Sequence, residues 1–142
     1  MTTSTWTTTL SPDVDAFFAE YAARGANPDA DSGEHFAEEF LTLDPNQARV
    51  LARGTLVAAL PARRQLFAKA GIGPLQLADA SQLDLDARHV LVRAAWTAER
   101  TGAQRLRIES TFLLRRDEGR LRIVVYLNHH DMVALLSQPA AR

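Results

Sequence analysis

The stretch "STFLLRRDEGRLRIVVYLNHHD", residues 110–131, decides the fold class of this chain. Its central "DEGR" is a turn signal, and apolar residues alternate with other residues on both sides of it. Period-two alternation around a glycine-containing turn is typical of an antiparallel β-hairpin. The stretch therefore predicts that a strand over 104–116 pairs with a strand over 121–130, followed by a short helix over 131–138.

Two further segments upstream of this hairpin show strand character. They are "LQLADASQLDLD", residues 75–86, and "RHVLVRAAWTAER", residues 88–100. Thr101-Gly102 supplies a turn signal before the third strand. Short connections join antiparallel neighbours, because a parallel crossover needs a dozen or more residues. We therefore predict a four-stranded antiparallel meander after residue 74.

The first half of the chain has a helical pattern instead. In "LSPDVDAFFAEYAARG", Ser11 is the predicted N-cap and Pro12 the first helical residue. We predict a short second helix over 34–43, and a third over 44–71 that has Asp44 as its N-cap and Pro45 as its first helical residue and is kinked or split at Pro61. Helices followed by a meander indicate an α+β fold: N-terminal helices packed on a curved antiparallel β-sheet. We expect a flexible tail over 1–10 and a single domain over 11–138.

Composition narrows the possible functions. The chain has 142 residues, 46% of them hydrophobic and 23% charged, with a formal net charge of −1 and no cysteine. This charge gives no electrostatic footprint for nucleic acid or an anionic membrane, and the lack of cysteine excludes disulfides and thiolate metal sites. No apolar run is long enough to span a bilayer, and the Thr-rich start does not resemble a secretory signal. We expect a cytoplasmic protein that binds neither nucleic acid nor membrane.

Strand parity divides the predicted meander into two faces. The inner face should be almost wholly apolar and lie beneath the helices, with Trp96, Ser110, Phe112 and, at the end of the last strand, His129. The outer face mixes apolar, aromatic and charged residues, which suits a self-complementary dimer interface. An exposed face with scattered hydrophobic residues is the alternative. The residues predicted for a homodimer interface are Arg93, Glu109, Thr111, Tyr126 and Asn128.

His129 is the candidate catalytic residue, because it is the only ionisable group on the predicted apolar face. A neutral imidazole there can act as a general base near neutral pH, and Asp131 can orient its ring. The alternatives are a structural histidine at a strand end and an N-cap role for Asp131 in the final helix. His130 points to the opposite face, so the two histidines cannot share one ion while the strand stays regular, and no metal site is predicted.

Two other positions keep two interpretations each. His35, followed by Glu38 and Glu39, either lines the mouth of a pocket or belongs to a solvated helix face. Trp96 is either a core residue or a platform for a ligand, and its indole N–H needs a partner in both cases.

The sequence resembles the nuclear transport factor 2-like cone-fold superfamily, which includes ketosteroid isomerase, scytalone dehydratase and the SnoaL-like polyketide cyclases. The resemblance rests on "VDAFFAEYAARG", "VLVRAAWTAER" and "STFLLRRDEGRLRIVVYLNHHD", and covers residues 12–137. It implies a pocket between helices and sheet. In the isomerase branch, a tyrosine on the first helix, a protonated carboxylic acid on the sheet and an aspartate base do the chemistry. Tyr21 lies on the first predicted helix, whereas the predicted apolar face carries no Asp or Glu.

The resemblance implies a protein that binds a small apolar organic ligand. If it is an enzyme, we expect cofactor-independent isomerisation, cyclisation or dehydration, with His129 as the base. The alternative is a non-catalytic dimeric module that binds other proteins through the same fold, and whether the protein is an enzyme stays open. The residues predicted to line the pocket are Phe17, Phe18, Tyr21, Phe40, Trp96, Ser110 and Phe112.

Overall fold

The computed structural model describes residues 5–26, 33–102 and 104–137. Within these residues the chain forms three helices and six strands, and the predicted α+β class is confirmed. In chain order the elements are α1 (Pro12–Ala26), β1 (Phe36–Leu43), β2 (Ala48–Ala52), α2 (Arg53–Lys69), β3 (Gln76–Asp84), β4 (His89–Ala98), β5 (Leu106–Asp117), β6 (Arg120–Asn128) and α3 (Met132–Leu136).

The six strands form one curved, open sheet in the order β2-β1-β6-β5-β4-β3. The predicted meander is the β3-β4-β5-β6 part of it, and each of those neighbours pairs antiparallel. The sheet as a whole is mixed, however, because β1 lies parallel to β6. The expectation of a wholly antiparallel sheet is therefore wrong at one pair of strands.

The β5–β6 hairpin forms at the predicted turn. Asp117 pairs with Arg120, which leaves a two-residue loop of Glu118 and Gly119 with φ angles of 52° and 76°. Two positive φ angles in succession characterise the turn whose twist matches paired strands, and glycine adopts such an angle without steric cost. The local sequence alone therefore accounts for this hairpin.

The segment over 34–43 was predicted to be a helix. It is mostly strand β1 instead. Phe36 and Phe40 both face the core, at 9% and 3% exposure. A spacing of four residues brings two side chains to one face of a strand as well as to one face of a helix, so the pattern did not distinguish the two. Backbone pairing with β6 on one side and β2 on the other makes the strand the stable form.

The predicted helix over 44–71 begins eight residues later than expected, at Arg53 with Ala52 as its N-cap. Asp44 does not cap a helix: its carboxylate accepts backbone N–H bonds from Asn46 at 2.7 Å and Gln47 at 3.0 Å in the turn between β1 and β2. An aspartate binding its own downstream backbone serves a turn as readily as a helix start. Helix α2 then runs through Pro61 without splitting.

Helix α1 begins at Pro12 as predicted and packs on the inner face of the sheet. Val14 and Phe18 are almost completely buried, and the Phe18 ring meets Phe112 edge-on at 5.2 Å. Polar contacts hold the start of the helix: Gln82 Oε1 accepts the Ser11 N–H at 2.9 Å, and Arg116 donates to Asp13 at 2.7 Å.

A β-bulge in β6 overturns the predicted faces of its second half. Leu114 pairs with Ile123 but Leu113 pairs with Val125, so one residue of β6 has no partner of its own on β5. An inserted residue moves every later side chain to the opposite face. Tyr126 therefore lies opposite Phe112, and Asn128 opposite Ser110, both on the inner face. The prediction that Tyr126 and Asn128 face outward and His129 inward is wrong.

The N-terminal segment is attached to the edge of the sheet where it is described. Thr7 and Gln82 exchange two backbone hydrogen bonds, at 2.9 and 2.8 Å. The predicted flexible tail also includes residues 1–4, and the predicted domain extends to residue 138; these positions lie outside the described residues. No helix in the described part of the chain combines the length and apolarity that crossing a membrane requires.

Candidate functional site

A cavity of about 470 Å³ lies between the two longer helices and the inner face of the sheet. Most of its wall is apolar, and Gly25 and Arg64 in that wall are exposed, so the cavity communicates with solvent. Its lining residues are Tyr21, Ala22, Gly25, Phe36, Leu56, Leu60, Arg63, Arg64, Phe67, Ala68, Ile72, Gly73, Pro74, Leu75, Trp96, Ile108, Phe112 and Tyr126.

Helix α2 supplies one wall through a stripe of side chains. Leu56, Leu60, Arg63 and Phe67 recur at helical spacing and all line the cavity. The helix has no fully buried residue, since its apolar stripe borders open space and not packed core. None of these four residues is among those predicted from the sequence, although their spacing along one helix face carried the signal.

Aromatic rings form the opposite wall. The Tyr21 ring lies 5.7 Å from Phe112 and 5.8 Å from Trp96. The bulge in β6 adds Tyr126, whose ring lies 5.3 Å from Phe112 and 6.5 Å from Phe36. Edge-on and tilted contacts at these distances are favourable between aromatic rings, and they restrain both phenols.

Three residues predicted to line a pocket do border this cavity: Tyr21, Trp96 and Phe112. The other four are placed elsewhere in the core. Phe17, Phe18 and Phe40 are buried by packing, and Ser110 is 1% exposed. The Ser110 hydroxyl accepts the indole N–H of Trp96 at 2.9 Å, so it holds the tryptophan that borders the cavity.

Arg63 is the principal charged group within this apolar surround. Its side chain keeps an exposed surface, while its guanidinium lies close to two phenols and 5.4 Å from the centre of the Phe67 ring. Desolvation is the largest influence and acts to lower the pKa of Arg63, but the electrostatic influence of Tyr126 and Tyr21 and a hydrogen bond to Tyr126 outweigh it, and the net shift is upward. The guanidinium therefore stays protonated at any physiological pH.

The cavity wall is electrostatically one-sided. Arg63 and Arg64 both line it, and no Asp or Glu occurs among its described lining residues. The phenols of Tyr21 and Tyr126 also line it, and Tyr126 accepts a hydrogen bond from Arg63. The site therefore offers hydrogen-bond donors and positive charge to whatever enters it.

His129 lies on the outer face of the sheet, away from the cavity. Its side chain is exposed, and its Nε2 lies 2.7 Å from the Thr111 Oγ1 on the neighbouring strand. Thr111 shares that face with Arg93, its partner in the β4–β5 pairing. The prediction of His129 as a base assumed that regular alternation along β6 turns its side chain toward the apolar pocket. The bulge in β6 breaks that alternation, so the assumption does not hold.

The residues next to His129 make structural hydrogen bonds at the end of β6. The Glu109 N–H donates to His130 Nε2 at 2.9 Å, and the His130 N–H donates to the Asn128 side-chain oxygen at 2.9 Å. Asp131 caps α3, as the structural alternative predicted: its carboxylate accepts the Ala134 N–H at 3.1 Å. That bond, with a second from the Asn46 amide, lowers the pKa of Asp131.

His35 is buried beside α1 and does not lie on a helix. It precedes β1, is 7% exposed, and its ring lies 5.1 Å from Phe17 and 5.8 Å from Tyr21. Glu38 and Glu39 are exposed on β1. Among the residues that the structure describes, no group of three or more His, Cys, Asp or Glu could hold a metal ion.

Comparison with solved structures gives the class of fold. A nuclear transport factor 2-like protein of unknown function from Shewanella oneidensis aligns with a TM-score of 0.69 at 15% identity, over 83% of this chain and 97% of that one. Aln2 from a Streptomyces species aligns at 0.65 and 18% identity, over 91% and 99%. A protein of unknown function with a cystatin-like fold from Nostoc punctiforme aligns at 0.65 and 10% identity, over 84% and 89%.

The chain therefore has the nuclear transport factor 2-like, cystatin-like fold that its sequence resembled. No protein-family model and no curated protein sequence matches it. At these low identities the likeness concerns the fold, and any functional argument rests on the cavity itself.

Proposed function

We propose that this protein binds a small, mainly apolar organic molecule in the cavity between α1, α2 and the sheet. The observation that supports the proposal is that the apolar stripe of α2 is not packed against the core. Its residues Leu56, Leu60 and Phe67 border a cavity of about 470 Å³. Protein cores are normally packed without voids of this size, whereas ligand pockets span roughly 300–1,000 Å³. A ligand would bury the apolar area that the fold leaves exposed.

A pair of tryptophan substitutions on α2 tests this proposal. Leu60 lines the cavity, whereas Leu66, on the same helix, is 41% exposed and does not line it. We expect Leu60→Trp to abolish binding of 2-naphthamide, a neutral apolar probe, in isothermal titration calorimetry, and Leu66→Trp to leave it unchanged. Equal binding by both variants, or an unmodified protein that binds neither this probe nor the matching acid, 2-naphthoate, would contradict the proposal.

Any reaction in this cavity would be a cofactor-independent isomerisation, cyclisation or dehydration, as the resemblance implies. Tyr21 and Tyr126 take the place of His129 in this proposal, because they face the cavity and carry exchangeable protons. A phenol held in a desolvated site can donate to an oxygen that gains negative charge in the transition state. With solvent water as the acceptor of the carbon-bound proton and the Tyr126 phenol as donor to the developing oxyanion, deuterium incorporation into a bound ligand in D₂O, lost in Tyr126→Phe, is the expected signature.

We also propose that the outer face of the sheet forms a homodimer interface, or the docking surface of a non-catalytic interaction module. Arg93, Glu109 and Thr111 lie on this face, as predicted, and Arg93 pairs with Glu109 at 3.2 Å. Beside them runs a row of half-buried aliphatic side chains from five neighbouring strands, which no helix covers in the described structure. The strand register aligns Leu83, Leu91, Leu113, Val125 and Leu41.

A charge placed in this aliphatic row separates the outer face from the cavity. We expect the unmodified protein to elute as a dimer in size-exclusion chromatography with light scattering, and Leu113→Arg to elute as a monomer that still binds 2-naphthamide. A mass equal to one chain at every concentration for the unmodified protein would contradict the dimer.

A further inference from the structure

We infer that the cavity is selective for organic acids, with the carboxylate of the ligand held by Arg63 together with the phenols of Tyr21 and Tyr126. The inference rests on the proposed function, since it names the chemical class of the molecule that the cavity binds. It depends on a cluster of three polar side chains that the sequence patterns did not bring together, because the cluster is assembled by α1, α2 and the bulged strand β6.

Charge is the first argument. Two arginines line the cavity, and none of its described lining residues is acidic. A cation in a mainly apolar surround is costly unless an opposite charge or strong hydrogen bonds compensate it. The phenols offer Arg63 hydrogen-bond acceptors but do not balance its positive charge. An anionic ligand would balance that charge, whereas a neutral ligand would not.

The donors available to a ligand are the second argument. A guanidinium has five N–H donors in a planar fork, and a phenol oxygen can accept only part of them. Tyr126, which accepts from Arg63, still has its own O–H to donate. Arg63 and Tyr126 can therefore bind the two oxygens of one carboxylate, and the Tyr21 phenol lines the same cavity.

Positioning is the third argument. The Arg63 guanidinium lies 5.4 Å from the centre of the Phe67 ring, one helical turn further along α2. Tyr126 is restrained by ring contacts with Phe112 and Phe36, and Tyr21 by contacts with Phe112 and Trp96. Groups fixed in advance by packing lose little conformational entropy when a ligand binds, so their bonds contribute more to affinity.

The rest of the cavity decides which anions fit. Its remaining wall is mainly hydrocarbon and aromatic surface from Leu56, Leu60, Trp96, Ile108 and Phe112. A small inorganic anion would leave this surface without contacts, whereas a monocarboxylate with a bulky apolar body would cover it. The geometry therefore favours amphiphilic organic acids over free inorganic phosphate.

The experiment compares 2-naphthoate with 2-naphthamide, which has nearly the same shape but no charge, by isothermal titration calorimetry on the full-length protein at neutral pH. We expect the acid to bind roughly tenfold or more tightly than the amide, as a charge-assisted hydrogen bond allows. Inorganic phosphate should compete with naphthoate only weakly.

Variants assign this preference to the cluster. Arg63→Gln should bring naphthoate down to the affinity of the amide, and Arg63→Lys should restore part of the difference because it keeps the charge without the planar fork. Tyr126→Phe keeps the ring contacts and should reduce the preference for the acid. Arg120→Gln removes the same charge from an exposed position outside the cavity, and it should leave the preference unchanged.

The outcomes separate this inference from the proposed function. Equal affinity for naphthoate and naphthamide, or an acid preference that survives Arg63→Gln in a variant with an unchanged melting temperature, would overturn the inference while leaving a ligand-binding cavity. Failure of both probes to bind would overturn the proposed function and this inference with it.

Discussion

Phe112 and Tyr126 face each other across β5 and β6, with ring centres 5.3 Å apart and ring planes at 68°. This contact exists because a bulge earlier in β6 turns Tyr126 toward the core. The same shift of one residue turns His129 outward to Thr111. One backbone irregularity thus decides which polar side chains the cavity receives.

Phe112 should be among the most sensitive positions of the chain. It is fully buried and contacts rings from α1, β4 and β6. We expect Phe112→Ala to lower the free energy of unfolding by about 3–5 kcal/mol, through lost burial and the space left behind. Urea denaturation followed by circular dichroism measures it, and a loss below about 1 kcal/mol would contradict this packing.

His129 and Asn128 should respond in opposite ways to truncation. His129 is exposed, so we expect His129→Ala to change the free energy of unfolding by no more than about 0.5 kcal/mol and to leave probe binding unaffected. Asn128 is 6% exposed and accepts the His130 N–H, so Asn128→Ala should cost about 1–3 kcal/mol. Thermal and urea melts of the two variants test the inward and outward assignments directly. The reverse order of effects would show that the bulge is absent.

The bond between Trp96 and Ser110 should be detectable as an energetic coupling. Both residues are buried, and Ser110→Ala would leave the indole N–H without its acceptor. We expect a loss of about 1–3 kcal/mol, smaller in a Trp96→Phe background where no N–H remains. A double-mutant cycle of unfolding free energies measures the coupling, and additive effects would argue against the bond.

The contact between α1 and β5 should make stability depend on pH in the acid range. The hydrogen bond from Arg116 is the largest influence on Asp13 and holds its pKa below the usual 3.8, against the opposing effect of burial. The stabilisation of the fold by the Asp13–Arg116 pair is therefore present at pH above 3.8 and disappears as the pH falls through the lowered pKa of Asp13. Since the Asp13 side chain is 47% exposed, the pair should contribute only about 0.2–1 kcal/mol.

We therefore expect Arg116→Gln to be less stable than the unmodified protein at neutral pH, and the difference to vanish at a pH well below 3.8. Arg120→Gln, at the exposed start of β6, removes the same charge and serves as the control. A difference that stayed constant down to that pH would mean that Arg116 acts through packing of its side chain.

Local patterns were sufficient where the structure depends on local interactions. The hairpin at Glu118 and Gly119, the start of α1 at Pro12 and the cap at Asp131 follow from residues that interact within a few positions of the chain. The segment over 34–43 failed because Phe36 and Phe40 suit a helix and a strand equally. Its pairing with β2 and with the distant β6 decides between the two.

The candidate site was harder to predict for the same reason. Tyr21, Trp96 and Phe112 follow from apolar periodicity, and all three border the cavity. From the sequence alone, Arg63 cannot be distinguished from other exposed helix residues. Its role in the site depends on Tyr126, which is distant in the sequence. Tyr126 in turn was assigned to the wrong face, since a β-bulge has no signature in a run such as "RIVVYLN".

The α2 residues that line the cavity are not the residues that form the packed core of the fold. The side chains of α2 border the cavity, yet none of them is fully buried, while α1 and the sheet contain the packed core. Substitutions along this one helix can therefore change which molecules are accepted at little cost to folding. A library randomised at Leu56, Leu60, Arg63 and Phe67 would sample new specificities on an unchanged scaffold, and natural divergence can take the same route.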